Sequence, residues 1–139
     1  MGSSVDDCSC YVGLAIVEDE KELVNILVRL FEKHRMAVCF IAYDGGEALL
    51  NFTRCDPKPR LVLMDYRLPT MNGIEVTKEI LKIDPGTRVI FLSADESIRD
   101  EALRAGATAF LQKPASLREI GDEIKDVITK FPDIKVYLT

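Results

Sequence analysis

The sequence predicts an α/β fold: a doubly wound, five-stranded parallel sheet with five flanking helices. Short apolar runs alternate five times with stretches whose apolar residues recur at helical spacing. The runs Gly13–Val17 and Leu61–Met64 are almost continuously apolar, as in strands covered on both faces. Polar, chemistry-bearing residues follow the strands at their carboxyl ends, where open α/β sheets bind ligands.

Taken in order, Gly13–Val17 is the first strand. The first helix, Glu20–His34, carries Leu23, Ile26, Leu27, Leu30 and Phe31 on one face. Val38–Ala42 is the second strand and Gly45–Cys55 a short helix built on Ala48, Leu49 and Phe52. Leu61–Met64 is the third strand, followed by a helix over Gly73–Ile83. Asp84-Pro85-Gly86 breaks the chain. Arg88–Leu92 is the fourth strand, and a helix over Ser97–Ala105 is stopped by Gly106. Ala109–Gln112 is the fifth strand and Ser116–Phe131 the last helix, with Ser116 and Glu119 spaced for a capping box. The crossovers between such strands are right-handed.

With 139 residues the chain suits one domain with a sizeable core. Apolar residues make up 47% and charged residues 29%, so it is an ordinary globular composition. The formal net charge of −5 argues against non-specific nucleic-acid binding, which needs a basic face. No apolar run reaches membrane-spanning length, and the N-terminus has no signal-peptide pattern. Met1-Gly2 lacks the Ser or Thr at position 6 that myristoylation wants, where Asp6 stands instead. A cytoplasmic location is the expectation. Residues 1–11 read as a flexible N-terminal tail, 12–131 as the domain, and 132–139 as a C-terminal tail. In the latter, Ile134-Lys135-Val136-Tyr137-Leu138-Thr139 alternates like a strand. It is read three ways: docked on the domain, contacting a partner, or opening a linker.

The cysteines are Cys8, Cys10, Cys39 and Cys55, and Cys8-Ser9-Cys10 lacks the C-x-x-C spacing of redox or zinc sites. They are read as free thiols, with Cys39 a small hydrophobe inside a strand. His34, the lone histidine, is placed near the end of the first helix and given no catalytic role.

Asp65 is the decisive residue. It ends a buried apolar strand, where an isolated carboxylate costs desolvation energy unless partnered. Glu18 and Asp19 follow the first strand, Ser93 the fourth and Lys113 the fifth. Three acids, one hydroxyl and one amine on one rim can hold a divalent metal and a phosphoryl group. Taken singly each residue has a plainer reading. Asp65 could cap a turn, Glu18 and Asp19 could favour a helix N-terminus, Ser93 could satisfy local backbone, and Lys113 could be a solvated surface amine. Convergence at equivalent strand ends favours the chemical reading.

Five segments resemble one family: Ile16-Val17-Glu18-Asp19-Glu20, the run from Leu63 through Asp65 to Asn72-Gly73, Phe91-Leu92-Ser93-Ala94-Asp95, Ala105-Gly106-Ala107, and Phe110-Leu111-Gln112-Lys113-Pro114. The sequence resembles receiver domains of two-component response regulators, of the single-domain CheY-like kind. That resemblance implies a flavodoxin-like strand order 2-1-3-4-5. It implies that Asp65 accepts a phosphoryl group from the phosphohistidine of a sensor histidine kinase or phosphotransfer protein, with Lys113 and Ser93 binding the phosphoryl oxygens.

By the same resemblance Asp19 and Asp65 bind Mg²⁺ directly, Glu18 acts through water, and Arg67 contributes its backbone carbonyl. Octahedral Mg²⁺ suits an oxygen-only, partly hydrated site. Ser93 and Phe110 are the switch pair. Arg67, Ala94 and Asp95 tune access, Ala94 by being small and the other two by carrying opposite charges beside the site. Lys113–Pro114 is expected to be cis, since cis bonds belong to X–Pro.

The resemblance further implies a switch that assists its own phosphorylation and dephosphorylation without being a turnover enzyme. Output goes to a downstream protein through the face of helix 4, strand 5 and helix 5, with no direct nucleic-acid or membrane partner. Two other readings compete. An aspartyl-phosphate hydrolase of the haloacid-dehalogenase type needs a second Asp where Arg67 stands. A receiver-shaped interaction module that is never phosphorylated predicts missing acids or lysine, and none is missing.

Overall fold

The computed structural model describes residues 13–33 and 36–130. The elements are β1 (Leu14–Val17), α1 (Lys21–Lys33), β2 (Val38–Ala42), α2 (Gly45–Arg54), β3 (Leu61–Met64), α3 (Gly73–Ile83), β4 (Arg88–Ser93), a 3-10 turn (Glu96–Ile98), α4 (Arg99–Arg104), β5 (Ala109–Gln112) and α5 (Leu117–Lys130). All neighbouring strands pair in parallel, in the order β2-β1-β3-β4-β5. The expected topology is therefore the observed one.

Strand alternation divides the core in two. Leu14 and Ile16, Leu61 and Leu63, and Ile90 and Leu92 face α1 and α5. Their neighbours Ala15 and Val17, Val62 and Met64, and Val89 and Phe91 face α2, α3 and α4. Successive side chains of a strand point to opposite faces, so a strand buried on both must be apolar at every position. All four residues of β1 and of β3 are buried, as that requires.

The edge strand β2 behaves differently. Cys39 is exposed there, not buried as the sequence suggested. β2 has a neighbour on one side only, so an apolar run does not ensure burial of each position. The helix expected over Ser97–Ala105 also differs. Its first turn is 3-10, because the Asp95 carboxylate accepts from the backbone N–H of Ser97 at 3.1 Å and holds that turn tight. The remaining α4 ends before Gly106, whose φ of 114° only glycine adopts easily.

Caps set the starts of α3 and α5. The Ser116 hydroxyl accepts from Glu119 N–H at 3.0 Å while Glu119 Oε1 accepts from Ser116 N–H at 2.9 Å, which is the expected capping box. Asn72 and Glu75 form a second box at the start of α3. The Lys113–Pro114 bond is cis, and so is Asp56–Pro57. His34, Cys8, Cys10 and the two tails lie outside the described residues.

Candidate functional site

β1, β3 and β4 are adjacent at the middle of the sheet, so their carboxyl ends meet. Val17 is level with Met64, and Met64 with Phe91. The ladder runs one residue past each strand: Glu18 N–H donates to Ala42 O, Asp65 N–H to Val17 O, and Lys113 N–H to Ser93 O. The backbones of the candidate residues are thus fixed by the sheet itself.

Glu18 is 3% exposed and Asp65 7%, whereas Asp19 stands in solvent. One carboxylate oxygen from each of the three lies within 4.8 Å of the others. Lys113 Nζ donates to Glu18 Oε1 at 2.8 Å and sits 3.7 Å from Asp65 Oδ2 and 3.8 Å from Glu20 Oε1. Glu18 Oε2 accepts from Glu20 N–H at 3.1 Å, and Asp65 Oδ1 from Tyr66 N–H at 2.8 Å. Lys113 is therefore held more tightly by Glu18 than by Asp65. Glu18 has the longer side chain and lies deepest, so the ammonium rests where unpaired charge is costliest.

Burial pushes the Glu18 carboxyl up to about 7, against the pull of the Lys113 hydrogen bond and with further push from the Asp65 charge. Burial likewise raises Asp65; Lys113 and the Tyr66 N–H oppose this, and the Asp19 charge adds to it. For Lys113, burial pulls downward, but the Glu18 hydrogen bond and the fields of Asp65, Glu18 and Glu20 win and raise it. Mutually repelling acids around one shared ammonium make a site short of positive charge. Hard, oxygen-only donors of this kind fit Mg²⁺.

The remaining candidates surround this cluster. Ser93 is buried, and its hydroxyl accepts from Asp95 N–H at 3.1 Å. Ala94 is exposed beside it. Arg67 Nη2 reaches Asp95 Oδ2 at 3.7 Å, with Arg67 largely in solvent. The hydrogen bond from the Ser97 hydroxyl holds the Asp95 carboxyl below the usual range, aided by the Arg67 charge. An open depression of about 480 Å³ beside the acids is lined by Asp19, Tyr66, Arg67, Leu68, Pro69 and Asn72. Phe110 is buried away from this rim, stacked on Phe91 with ring centroids 6.3 Å apart.

Sequence reasoning missed three supports. Glu20, next to the acid pair, adds a third carboxylate to Lys113. Gly73 runs against the Asp65 backbone, where a Cβ would come within 2.0 Å of the Asp65 carbonyl oxygen. Arg99 lies over Phe110. The first was readable from adjacency; the other two depend on how helices sit on the sheet.

The family model described as response regulator receiver domain matches residues 14–125. The chain belongs to the response regulator receiver family. This receiver is 38% identical over 101 residues to the chemotaxis protein CheY of Thermotoga maritima, covering 71% of this chain and 82% of that one. It is 32% identical over 124 residues to sporulation initiation phosphotransferase F of Bacillus subtilis, covering 88% and 94%. Among solved structures, a CheY-like receiver domain protein from Methanospirillum hungatei superposes with a TM-score of 0.81 at 26% identity, covering 88% and 98%. The CheX–CheY–BeF3–Mg²⁺ complex from Borrelia burgdorferi gives 0.79 at 28% identity, covering 84% and 88%. The chain is a CheY-like receiver of two-component signalling, a phosphoacceptor response regulator that works as a switch. Receiver domains bind Mg²⁺ at an acidic pocket, and this receiver has an acidic group in Glu18, Asp19 and Asp65. Such relatives imply a histidine kinase or phosphotransfer partner. No helix among the described residues is long and apolar enough to cross a membrane.

Proposed function

We propose that Asp65 is the phosphoacceptor of this receiver. The observation that carries this is its burial beside Lys113, 3.7 Å away, and within 4.8 Å of two further carboxylates. A carboxylate oxygen of Asp65 attacks the phosphorus of a partner's phosphohistidine. The P–N bond breaks, the imidazole leaves with the bonding pair, and an acyl phosphate forms on Asp65. Most of the catalysis is positioning and charge neutralisation.

Each neighbour has a defined part. Asp19 and Asp65 would hold Mg²⁺ directly, Glu18 through water, and Arg67 through its backbone carbonyl; the bound ion would supply charge neutralisation for the transferring group. Lys113 turns from Glu18 toward the new phosphoryl oxygens. The Ser93 hydroxyl, now a local acceptor, donates to one of them. Ala94 leaves room for the group, and Arg67 with Asp95 screens it from water. Ser93 and Phe110 couple this change to the face built from α4, β5 and α5, where a downstream protein binds. The cycle ends in hydrolysis of the acyl phosphate, so the receiver assists its own modification and removal without turning over as an enzyme. The working unit is residues 12–131, acting in the cytoplasm and without contact to nucleic acid or membrane.

The test is intact mass after incubation with a small acyl-phosphate donor, with and without Mg²⁺, for wild type and Asp65→Asn. One added phosphoryl group that needs both Mg²⁺ and Asp65 is expected. No gain in the wild type, or the same gain in Asp65→Asn, overturns the assignment.

A further inference from the structure

The loop between β3 and α3, residues 66–72, is docked against the first turn of α2. The first N–H groups of a helix have no partner inside it. In α2 the loop supplies partners for two of them: Gly45 N–H donates to Pro69 O at 3.0 Å and Gly46 N–H to Thr70 Oγ1 at 2.9 Å. Asp44, the N-cap, takes the third, from Glu47 N–H at 2.7 Å. The same Asp44 oxygen accepts from the Thr70 hydroxyl at 3.2 Å. A Cβ on Gly45 would collide with Met71 O, so the loop backbone lies directly against the helix start.

Thr70 has a φ of 69°, and it is the one non-glycine residue with a positive φ among the described residues. A β-branched residue is a poor occupant of the left-handed region, which glycine or asparagine enters more easily. Met71 N–H donates to Pro69 O at 2.8 Å, closing a tight three-residue turn on Thr70. The backbone alone would favour a smaller residue here. Thr70 is exposed, so core packing does not account for it either. What threonine adds is a hydroxyl that both donates and accepts. Both of its bonds go to the start of α2.

The same loop borders the carboxylate site. Arg67 lies three residues before Thr70. Tyr66, Arg67, Leu68, Pro69 and Asn72 line the depression beside Asp19. The loop is fixed at Asp65 by the sheet, through the bond to Val17 O, and at its other end by Gly73 N–H, which donates to Tyr66 O at 2.9 Å. Between those ends, Thr70 ties it to α2.

We propose that Thr70 is a positioning residue for ion binding. Its hydroxyl fastens the 66–72 loop to α2 and so keeps Arg67 beside the acids in the ordered form that takes up an ion. Without the hydroxyl the strained turn relaxes, and only part of the population presents that form. Apparent affinity falls by the same fraction. This inference rests on the proposed ion site of Asp19, Asp65 and the Arg67 carbonyl, and it adds a residue that does not touch the ion.

The test compares wild type, Thr70→Val and Thr70→Ser. Valine keeps the branched shape and removes the hydroxyl; serine keeps the hydroxyl. Calorimetric titration of the metal-free proteins with Mg²⁺ should show roughly fivefold weaker binding in Thr70→Val, about what one ordinary hydrogen bond corresponds to. Thr70→Ser should bind like the wild type. Amide hydrogen exchange at Gly46, read without metal, should be faster in Thr70→Val. A merely structural cap would lower the thermal midpoint of Thr70→Val and leave its Mg²⁺ affinity at the wild-type value, and that result overturns the proposal. So does unchanged exchange at Gly46, or a Thr70→Ser protein that binds as weakly as Thr70→Val. A wild type that binds no Mg²⁺ removes the ion site and this inference together, whereas wild-type binding with an unaffected Thr70→Val removes only the role of Thr70.

Discussion

The guanidinium of Arg99 lies over the ring of Phe110, 4.8 Å from its centroid. It ties the first residue of α4 to the middle of β5, and Phe110 is packed against Phe91 in β4. The Phe110 ring is therefore buried and held by two elements. Removing Arg99 by Arg99→Ala should destabilise the protein only slightly, because an exposed cation–π contact is weak. Phe110→Ala should cost about 3–5 kcal/mol, because a buried ring leaves a cavity. Urea unfolding measures both. Glu96→Gln is the control, since it removes the ion pair to Arg99 but keeps the guanidinium; a loss equal to that of Arg99→Ala would mean the ring contact contributes nothing.

Among the described residues Lys113 is the one cation bonded to the buried acids, and its removal should act in opposite directions on two properties. Lys113→Ala leaves Glu18 and Asp65 without their ammonium and should destabilise the metal-free protein by about 1–3 kcal/mol. The figure is below the 3–5 kcal/mol typical of a fully buried broken pair, because Lys113 is partly solvated. Mg²⁺ no longer competes with the ammonium for the same oxygens, so its affinity should rise roughly tenfold. Calorimetric titration reads the affinity. A weaker or unchanged affinity in Lys113→Ala would show that the ammonium and the ion do not share the carboxylates.

The fold was legible because its signals are local and repeated. Both central strands are apolar at every position, and that pattern has few solutions in a sheet covered on two faces. The acids, Ser93 and Lys113 were legible because parallel strands deliver their next residues to one rim. What escaped depends on the placement of whole elements. Cys39 looked like a core residue until β2 proved to be an edge. The preference of Lys113 for Glu18 over Asp65 is set by side-chain reach and relative burial, which strand order alone does not give. Arg99 carries no motif at all.

Arg67 and Asp95 face each other across the mouth of the site at 3.7 Å. Arg67 is mostly solvated, so the pair is weak and screened. Arg67→Ala should shorten the phosphoryl half-life on Asp65 roughly two- to fivefold, the range such an exposed pair can supply. Asp95→Ala should do the same while also loosening the 3-10 turn it caps. Mass-spectrometric decay of the phosphorylated protein gives the half-life. Unchanged decay in both variants removes the gate from the account.

Gly73 is where α3 starts, against the backbone of Asp65. Gly73→Ala places a Cβ 2.0 Å from the Asp65 carbonyl oxygen and 3.1 Å from Met64 Cγ. Backbone cannot yield like a flexible side chain, so the strand end or the helix must move. A loss of about 1–3 kcal/mol is expected, as for other overpacked sites. Phosphorylation should fall in the protein that remains folded. Gly46→Ala meets Thr70 Oγ1 at 3.2 Å, a contact a side chain can relieve, and should be nearly neutral by urea unfolding.

The raised Glu18 carboxyl fixes the pH dependence of the metal-free protein. Its folded value is about 7 against an ordinary 4.5, and Asp65 is raised as well. Between those limits the native state binds more protons than the unfolded chain, so stability falls as pH rises. The loss should be on the order of 1–3 kcal/mol between pH 4.5 and 7. Lys113 is raised from 10.5 and so does not itself titrate in that window. A metal ion needs its carboxylate ligands ionised, so Mg²⁺ affinity should climb through the same range. At pH 7.5 saturating Mg²⁺ should restore what ionisation removed, by mass action on the native state. Glu18→Gln should flatten the metal-free profile. Thermal unfolding across pH, with and without Mg²⁺, reads all of this; a metal-free stability that rises from pH 4.5 to 7 would mean Lys113 fully compensates the buried acids.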